Sequence, residues 1–182
     1  MKCYRTDLPE VIIVEPEVYE DPRGFFYESF NKKAFADVVG VRVEFVQDNH
    51  SRSAQGVLRG LHFQNPDPQA KLVRTTFGSI WDVVVDLRRT SPNFGKWTGA
   101  ILSSDNRKQI WVPEGFAHGF LVLSDFAECQ YKTTTYWNPA LEHCLAWDDP
   151  DVGIRWPIVL NGPVLSERDA RGLSLSKVAV FP

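Results

Sequence analysis

The sequence predicts an all-β fold, a sandwich or a barrel of short strands with a few short helices. Short apolar runs recur at near-regular spacing along the chain, and β-branched and aromatic residues dominate them. Clusters of Pro, Gly, Asn and Asp separate the runs, while helical periodicity is scarce.

In chain order, Val11–Val14 reads as a strand leading into Pro16, and Val41–Val46 alternates polar and apolar residues as a half-buried strand does. Gly56–Gln64 reads as a further strand. The β-branched run Ile80–Leu87 is bounded by Gly78-Ser79 and by Thr90-Ser91-Pro92-Asn93. Trp97–Leu102, Gln109–Val112, Gly119–Leu123, Glu128–Tyr136 and His143–Trp147 complete the set, with turns such as Asn65-Pro66-Asp67-Pro68 and Asp148-Asp149-Pro150-Asp151 between them. Two helices are expected. Asn31 caps a segment over Lys32–Val39 that Gly40 stops, and Ser166-Glu167-Arg168-Asp169 forms a capping box, with Asp in place of Glu, opening a brief C-terminal helix. The reading is one domain over residues 1–182, with an N-terminal strand arm to about residue 20 and a C-terminal helical extension over about 166–182. Residues 1–6 and 171–182 carry no readable signal of their own.

Composition excludes several classes. The chain has 182 residues with 43% hydrophobic and 24% charged, which is globular rather than disordered. Twenty Lys and Arg against 23 Asp and Glu leave no basic excess for a nucleic-acid backbone. No apolar run approaches the roughly 20 residues that span a bilayer. The N-terminus lacks the apolar stretch of a secretory signal, and three cysteines without C-x-x-C spacing read as free thiols, so a cytoplasmic protein is expected. Aromatic residues reach 13%, more ring surface than a minimal core needs, and some are expected to line a pocket.

The chemistry centres on two of the four histidines. His62 lies in Gly56-Val57-Leu58-Arg59-Gly60-Leu61-His62-Phe63-Gln64, and His118 lies in Pro113-Glu114-Gly115-Phe116-Ala117-His118. Any single histidine is more often a hydrogen-bonded structural residue than a catalyst. Together the segments resemble the double motif of cupin-type β-barrels (jelly rolls). Gly56 and His62 keep the spacing of the first motif, G-x5-H-x-H. Pro113, Gly115 and His118 match the latter half of the second, G-x5-P-x-G-x-x-H. Gln64 replaces the second histidine of the first motif, and no Glu follows it at the ligand position. With at most two imidazoles left, a catalytic metal is not expected.

Longer motifs narrow the match. Asp21-Pro22-Arg23-Gly24-Phe25-Phe26, Val46-Gln47-Asp48-Asn49-His50-Ser51, Val57–Gln64 and Trp111–Phe120 occur in order, with Gly78–Arg88 and Trp147-Asp148-Asp149-Pro150 between and after them. Over about residues 7–170 the chain resembles the dTDP-4-dehydrorhamnose 3,5-epimerase family, metal-free cupin-type enzymes acting on a nucleotide sugar. The resemblance implies no cofactor. It implies removal and return of protons at C3 and C5, which the C4 ketone of the sugar acidifies. Such chemistry needs a base near neutral pKa, a cation for the enolate oxygen and an acid across the ring.

By resemblance, His62 is the base, Asp169 the carboxylate that orients it, Tyr131 the proton donor and Lys71 the cation beside the C4 oxygen. Helix capping by Asp169, a half-buried strand Tyr131 and a solvated strand Lys71 are the bland alternatives, and capping can coexist with the catalytic role. Arg23, Glu28, Gln47, Asn49, Arg59, His118, Glu142 and Arg168 fall on the family's ligand-binding positions. Arg23 and Arg59 suit the two phosphates, because guanidinium forks grip oxygens in pairs. Trp137, where the family more often has Tyr, is a stacking partner for thymine or sugar, and Arg168 replaces the usual lysine. Gln47 and Asn49 share strand parity and face one way. Arg59 and His62 have opposite parity, so a bulge at Gly60 or an approach from the strand end must bring them together. The family's homodimers, in which N-terminal segments cross to the partner, imply that Arg23 and Phe25 serve a neighbouring site.

Overall fold

A computed structural model describes residues 1–182. In chain order its strands begin with β1 (Lys2–Arg5), β2 (Ile12–Glu15), β3 (Tyr19–Asp21), β4 (Gly24–Phe26), β5 (Gln47–Ala54), β6 (Leu58–Gln64) and β7 (Lys71–Phe77). There follow β8 (Ser79–Asp86), β9 (Trp97–Ser103), β10 (Gln109–Val112), β11 (Phe116–Val122), β12 (Phe126–Thr133) and β13 (Glu142–Cys144). One six-stranded sheet runs β1-β2-β10-β7-β12-β5, a five-stranded sheet runs β13-β6-β11-β8-β9, and β3 pairs only with β4. All these pairings are antiparallel. The architecture is a jelly roll of two facing sheets, and the sheets do not close into a continuous hydrogen-bonded barrel.

Period-two alternation builds this architecture. Inward residues of both sheets form one core, with Val73, Ile110 and Val112 meeting Ile80, Val84, Leu102, Phe116 and Phe120. Each such side chain contributes about 1.5–3 kcal/mol when fully buried. The outer faces are covered too. Helix α1 (Lys32–Val39) sets Phe35 against Ile12, Leu72 and Trp111 on the six-stranded sheet. Asn31 caps it by accepting a bond from the Ala34 N–H at 3.1 Å, and Gly40 ends it at φ 81°, both as expected.

The C-terminal quarter covers the other sheet. Val152, Val178 and Phe181 pack against Leu61, Phe63, Val83 and Val85. Single parallel bridges from Val164, Leu173 and Phe181 pin this segment down. It holds one 3-10 turn, Asp169–Arg171, where a helical extension was expected. Its apolar side chains reach the sheet from irregular backbone, which leaves no periodicity to read.

Three further expectations are corrected. Residues 41–46 form no ladder. Val43 and Phe45 alternate because they pack on the α1 cluster, and pairing begins only at Gln47. The proposed N-terminal arm is integral, because β2 is buried between β1 and β10. The strand expected over His143–Trp147 covers only Glu142–Cys144 before the chain leaves the ladder to bridge Leu145 to Leu173.

The parity conflict in β6 is resolved by a bulge. His118 pairs with His62, but Phe120 pairs with Arg59, so Gly119 alone faces both Gly60 and Leu61. Gly60 has φ +119°, and a Cβ there would lie 2.6 Å from Gly119 Cα and 2.8 Å from the His118 carbonyl oxygen. Neither backbone can retreat, so Gly60→Ala should lower stability by about 2 kcal/mol or more. Urea unfolding checks this, and an unchanged midpoint would show that the two backbones can part.

Candidate active site

The inward face that is apolar at its centre becomes polar toward one end. There a cavity of about 340 Å³ opens between the sheets. His62, Arg59 and His118 enter it from the five-stranded sheet, and Asn49, Ser51, Lys71 and Tyr131 from the six-stranded sheet. Trp137, Glu142 and Arg168 close its rim. A flat ring bound between the sheets would therefore meet His62 on one side and Tyr131 on the other.

His62 Nε2 lies 2.5 Å from Asp169 Oδ1. A carboxylate there favours the tautomer with its proton on Nε2, which leaves the lone pair on Nδ1. Asp169 is itself held. Ser166 Oγ donates to Oδ2 at 2.8 Å and accepts from the Asp169 N–H at 3.1 Å, so capping and orientation of His62 do coexist. Burial pushes this carboxyl up, yet the hydrogen bond and charge of His62, with help from Ser166 and the Gly60 N–H, hold it below the ordinary carboxylate range. It stays anionic at neutral pH beside a ring that can gain a proton.

Lys71 is buried rather than solvated, with 7% of its surface exposed. Burial pushes its ammonium down to about 8, against the pull of Glu142 and Asp82, and its Nζ donates to the His62 carbonyl at 3.4 Å. Tyr131 is pushed above the ordinary phenol range by burial and then by Glu142, so it stays protonated and able to donate. His118 is buried, with Nε2 2.8 Å from Asp82 Oδ2, and Asp82 is fully enclosed. Burial raises the Asp82 carboxyl despite His118 and Lys71.

At the mouth, Arg59 Nε donates to Ser53 Oγ at 2.9 Å, and its side chain lines the cavity through the β6 bulge. Gln47 donates to Asn49 Oδ1 at 2.9 Å and accepts from the Trp137 backbone N–H at 3.0 Å. Trp137 Nε1 donates to Glu142 Oε2 at 2.6 Å, and Arg168 pairs with the same oxygen at 2.6 Å. The indole is half-exposed and free on its outer face.

Two expected residues do not join this set. Arg23 stands on the exposed β3–β4 hairpin, bonded to Asp21, and Glu28 accepts from Asn31. Neither lines the cavity, and Gln47 does not line it either but joins it through its bonds to the lining residues Asn49 and Trp137. The hairpin pairs with neither sheet and is held beside Arg107, which bonds Glu20 at 3.2 Å and stacks on the Phe25 ring. Ser51, Gln69, Phe120 and Asp82 belong to the site or its floor and were missed. Ser51 shares parity with Gln47 and Asn49, which was a usable signal. Asp82, one of two buried acids in β8 with Asp86, was another, because an acid among buried valines needs a partner. Gln64, standing where metal-binding cupins place histidine, is buried and donates to the Asp67 and Tyr136 carbonyls while accepting from the Asn138 N–H.

Comparison with known proteins bears on this arrangement. The family model described as dTDP-4-dehydrorhamnose 3,5-epimerase matches residues 5–177. The dTDP-4-dehydrorhamnose 3,5-epimerase of Pseudomonas aeruginosa is 54% identical over 182 residues, all of both chains. The enzyme of the same name from Escherichia coli is 53% identical, over 98% of this chain and 96% of that one. Among solved structures, the dTDP-6-deoxy-D-glucose-3,5-epimerase of Legionella pneumophila in complex with dTDP-4-keto-L-rhamnose superposes with a TM-score of 0.95. It is 46% identical, over 98% of this chain and 94% of that one.

The burial of Lys71 predicts that its ε-carbon NMR shift titrates with a midpoint near 8, against 10.5 for an ordinary lysine. A midpoint above about 10 would mean that the lysine sits in bulk water.

Proposed function

We infer, from a chain that belongs to the dTDP-4-dehydrorhamnose 3,5-epimerase family, how its own residues carry the reaction. The enzyme inverts C3 and C5 of dTDP-4-dehydro-6-deoxy-D-glucose to give dTDP-4-dehydro-L-rhamnose, a step in dTDP-L-rhamnose biosynthesis. The observation that carries the residue assignment is the opposition of a His62–Asp169 pair on one sheet to Tyr131 on the other.

His62 Nδ1 removes the proton on the carbon next to the C4 ketone, and Asp169 stabilises the imidazolium that forms. The C–H electron pair moves to the ketone, leaving an enolate whose oxygen faces the Lys71 ammonium. Tyr131 then delivers a proton to the opposite face of the same carbon, and each centre is inverted without redox change. Solvent returns a proton to the phenolate and takes one from the imidazolium, and the second carbon follows by the same route. Arg59 and His118 anchor the nucleotide diphosphate end with Gln47, Asn49, Glu142 and Arg168, and Trp137 offers its free face to thymine or sugar. Loss of the Lys71 charge as pH rises through about 8 removes the enolate's counter-ion, so turnover falls on that alkaline side.

The active form is a homodimer of one catalytic domain per chain. Support comes from Arg23 and Glu28, family ligand positions that do not line their own cavity, and from the exposed Tyr19, Phe25 and Phe26 on the same hairpin. A hairpin carrying rings and a guanidinium suits the cavity mouth of a second copy. No helix is long and apolar enough to cross a membrane. The three unpaired cysteines support a cytoplasmic setting.

The deciding experiment is proton NMR of the substrate with the protein in D2O. Both the C3 and C5 proton signals should vanish, and His62→Ala should abolish the exchange while leaving the fold intact. Tyr131→Phe should slow product formation more than proton loss, and Asp169→Asn should cost a hundredfold or so in rate. Exchange at one carbon alone would make this a single-position epimerase, and binding without exchange would make it a nucleotide-sugar binder. Sedimentation equilibrium should give a dimer, and a clean monomer would remove the role given to Arg23.

A further inference from the structure

Behind His62, beside Asp169 and outside the cavity lining, lies a donor that the epimerisation does not use. Cys144 on β13 pairs directly with His62 on β6, which puts the two side chains on one face of the sheet. Its Sγ lies 3.9 Å from Asp169 Oδ1, the same oxygen that meets His62 Nε2 at 2.5 Å. We propose that His62 Nε2, Cys144 Sγ and Asp169 Oδ1 form an inhibitory binding site for a borderline-soft divalent cation of the zinc type.

The three donor atoms lie within 4.8 Å of one another. A tetrahedral zinc ion with N, O and S ligands holds such atoms about 3.3–3.7 Å apart. The sulfur–oxygen distance is therefore close to what the ion needs. The nitrogen–oxygen distance must open by about 1 Å, which side-chain torsions can supply. One nitrogen, one oxygen and one sulfur donor suit zinc and cobalt, whereas magnesium takes oxygen ligands and keeps its waters. Cys144 also lines a separate surface groove with Glu167, Arg168 and Arg171, from which water can reach a fourth position.

Binding exchanges protons and bonds in a definite way. The Cys144 S–H loses its proton to solvent as the metal–sulfur bond forms, and the His62 proton moves through solvent from Nε2 to Nδ1 as Nε2 takes the metal, so the ring stays neutral, one proton is released and no electron moves. Asp169 is drawn from the ring to the ion, so His62 loses the carboxylate that favours its imidazolium. A metal-loaded chain is then a poor base. The binding half of the proposal stands apart from the epimerase reading, and only the inhibition rests on it.

The test titrates the metal-free full-length protein with Zn2+ by calorimetry in chelator-free buffer, and with Co2+ by absorption. One ion per chain should bind, with a thiolate-to-cobalt charge-transfer band in the near ultraviolet. Turnover should fall with occupancy and return with EDTA, while Mg2+ at the same concentration does nothing. Cys144→Ser should keep the wild-type unfolding midpoint and basal turnover, lose the band and bind Zn2+ at least about tenfold more weakly. Cys144→Ala guards against residual ligation by the serine hydroxyl, and Cys3→Ser should behave as wild type. Absence of stoichiometric binding, equal Zn2+ affinity in the Cys144 variants, or full turnover at saturating Zn2+ would overturn the proposal. A protein that binds zinc as described yet never exchanges substrate protons would instead count against the epimerase residue assignment.

Discussion

The contact between Gly60 and Gly119 is the constraint from which the site follows. Two backbones meet where any side chain would intrude, and β6 can slip by one residue against β11 only because both positions are bare. That slip turns Arg59 inward along with His62, so one strand supplies a guanidinium and an imidazole to the same cavity. Without it, strand parity would send the guanidinium to the outer face, among Leu61 and Phe63 under the C-terminal segment. The specificity of the site for a charged nucleotide sugar thus depends on a backbone irregularity as much as on side-chain chemistry.

The polar end of the interior is organised around paired ionisable groups. His62 has Asp169, His118 has Asp82, Arg168 has Glu142, and Lys71 lies near both Glu142 and Asp82. Isolated charges at this depth would cost several kcal/mol each, and pairing offsets much of that cost. What remains is useful. Lys71 stays mostly charged at neutral pH but close to its limit, so it responds strongly to negative charge that develops nearby. Tyr131 is kept protonated by the same burial.

Much of this was legible in the sequence, and the limits have physical causes. Strands whose partners demand alternation, such as β8 and β10, appear at or near their true bounds. α1 appears with both caps, because capping is a local interaction. The hairpin of β3 and β4 escaped notice, since each strand has three residues and neither packs on a sheet. Residues 41–46 misled for the opposite reason, as alternation arises wherever one side of an extended chain is buried, with or without a ladder. At the site, His62, Tyr131, Lys71 and Asp169 came from resemblance, and the geometry gathers three of them around one cavity with Asp169 directly behind His62. No local rule could place Asp169 beside a histidine 107 positions earlier in the chain. Asp82 was open to a purely physical reading, because it interrupts a run that is otherwise apolar.

The same long separation bears on how the protein comes into being. During synthesis the two sheets can assemble once β13 has emerged, and the cavity then has its walls, its lysine and its tyrosine. His62 still lacks its hydrogen-bonded carboxylate, and the outer face of the five-stranded sheet still lacks its cover. Both arrive with the last stretch of chain, because the segment that hides Leu61 and Phe63 also delivers Asp169. Cover for the sheet and a carboxylate for His62 thereby come from one segment, the chain that follows β13. Without that segment Leu61 and Phe63 would face solvent and His62 would lose its hydrogen-bonded carboxylate in the same event.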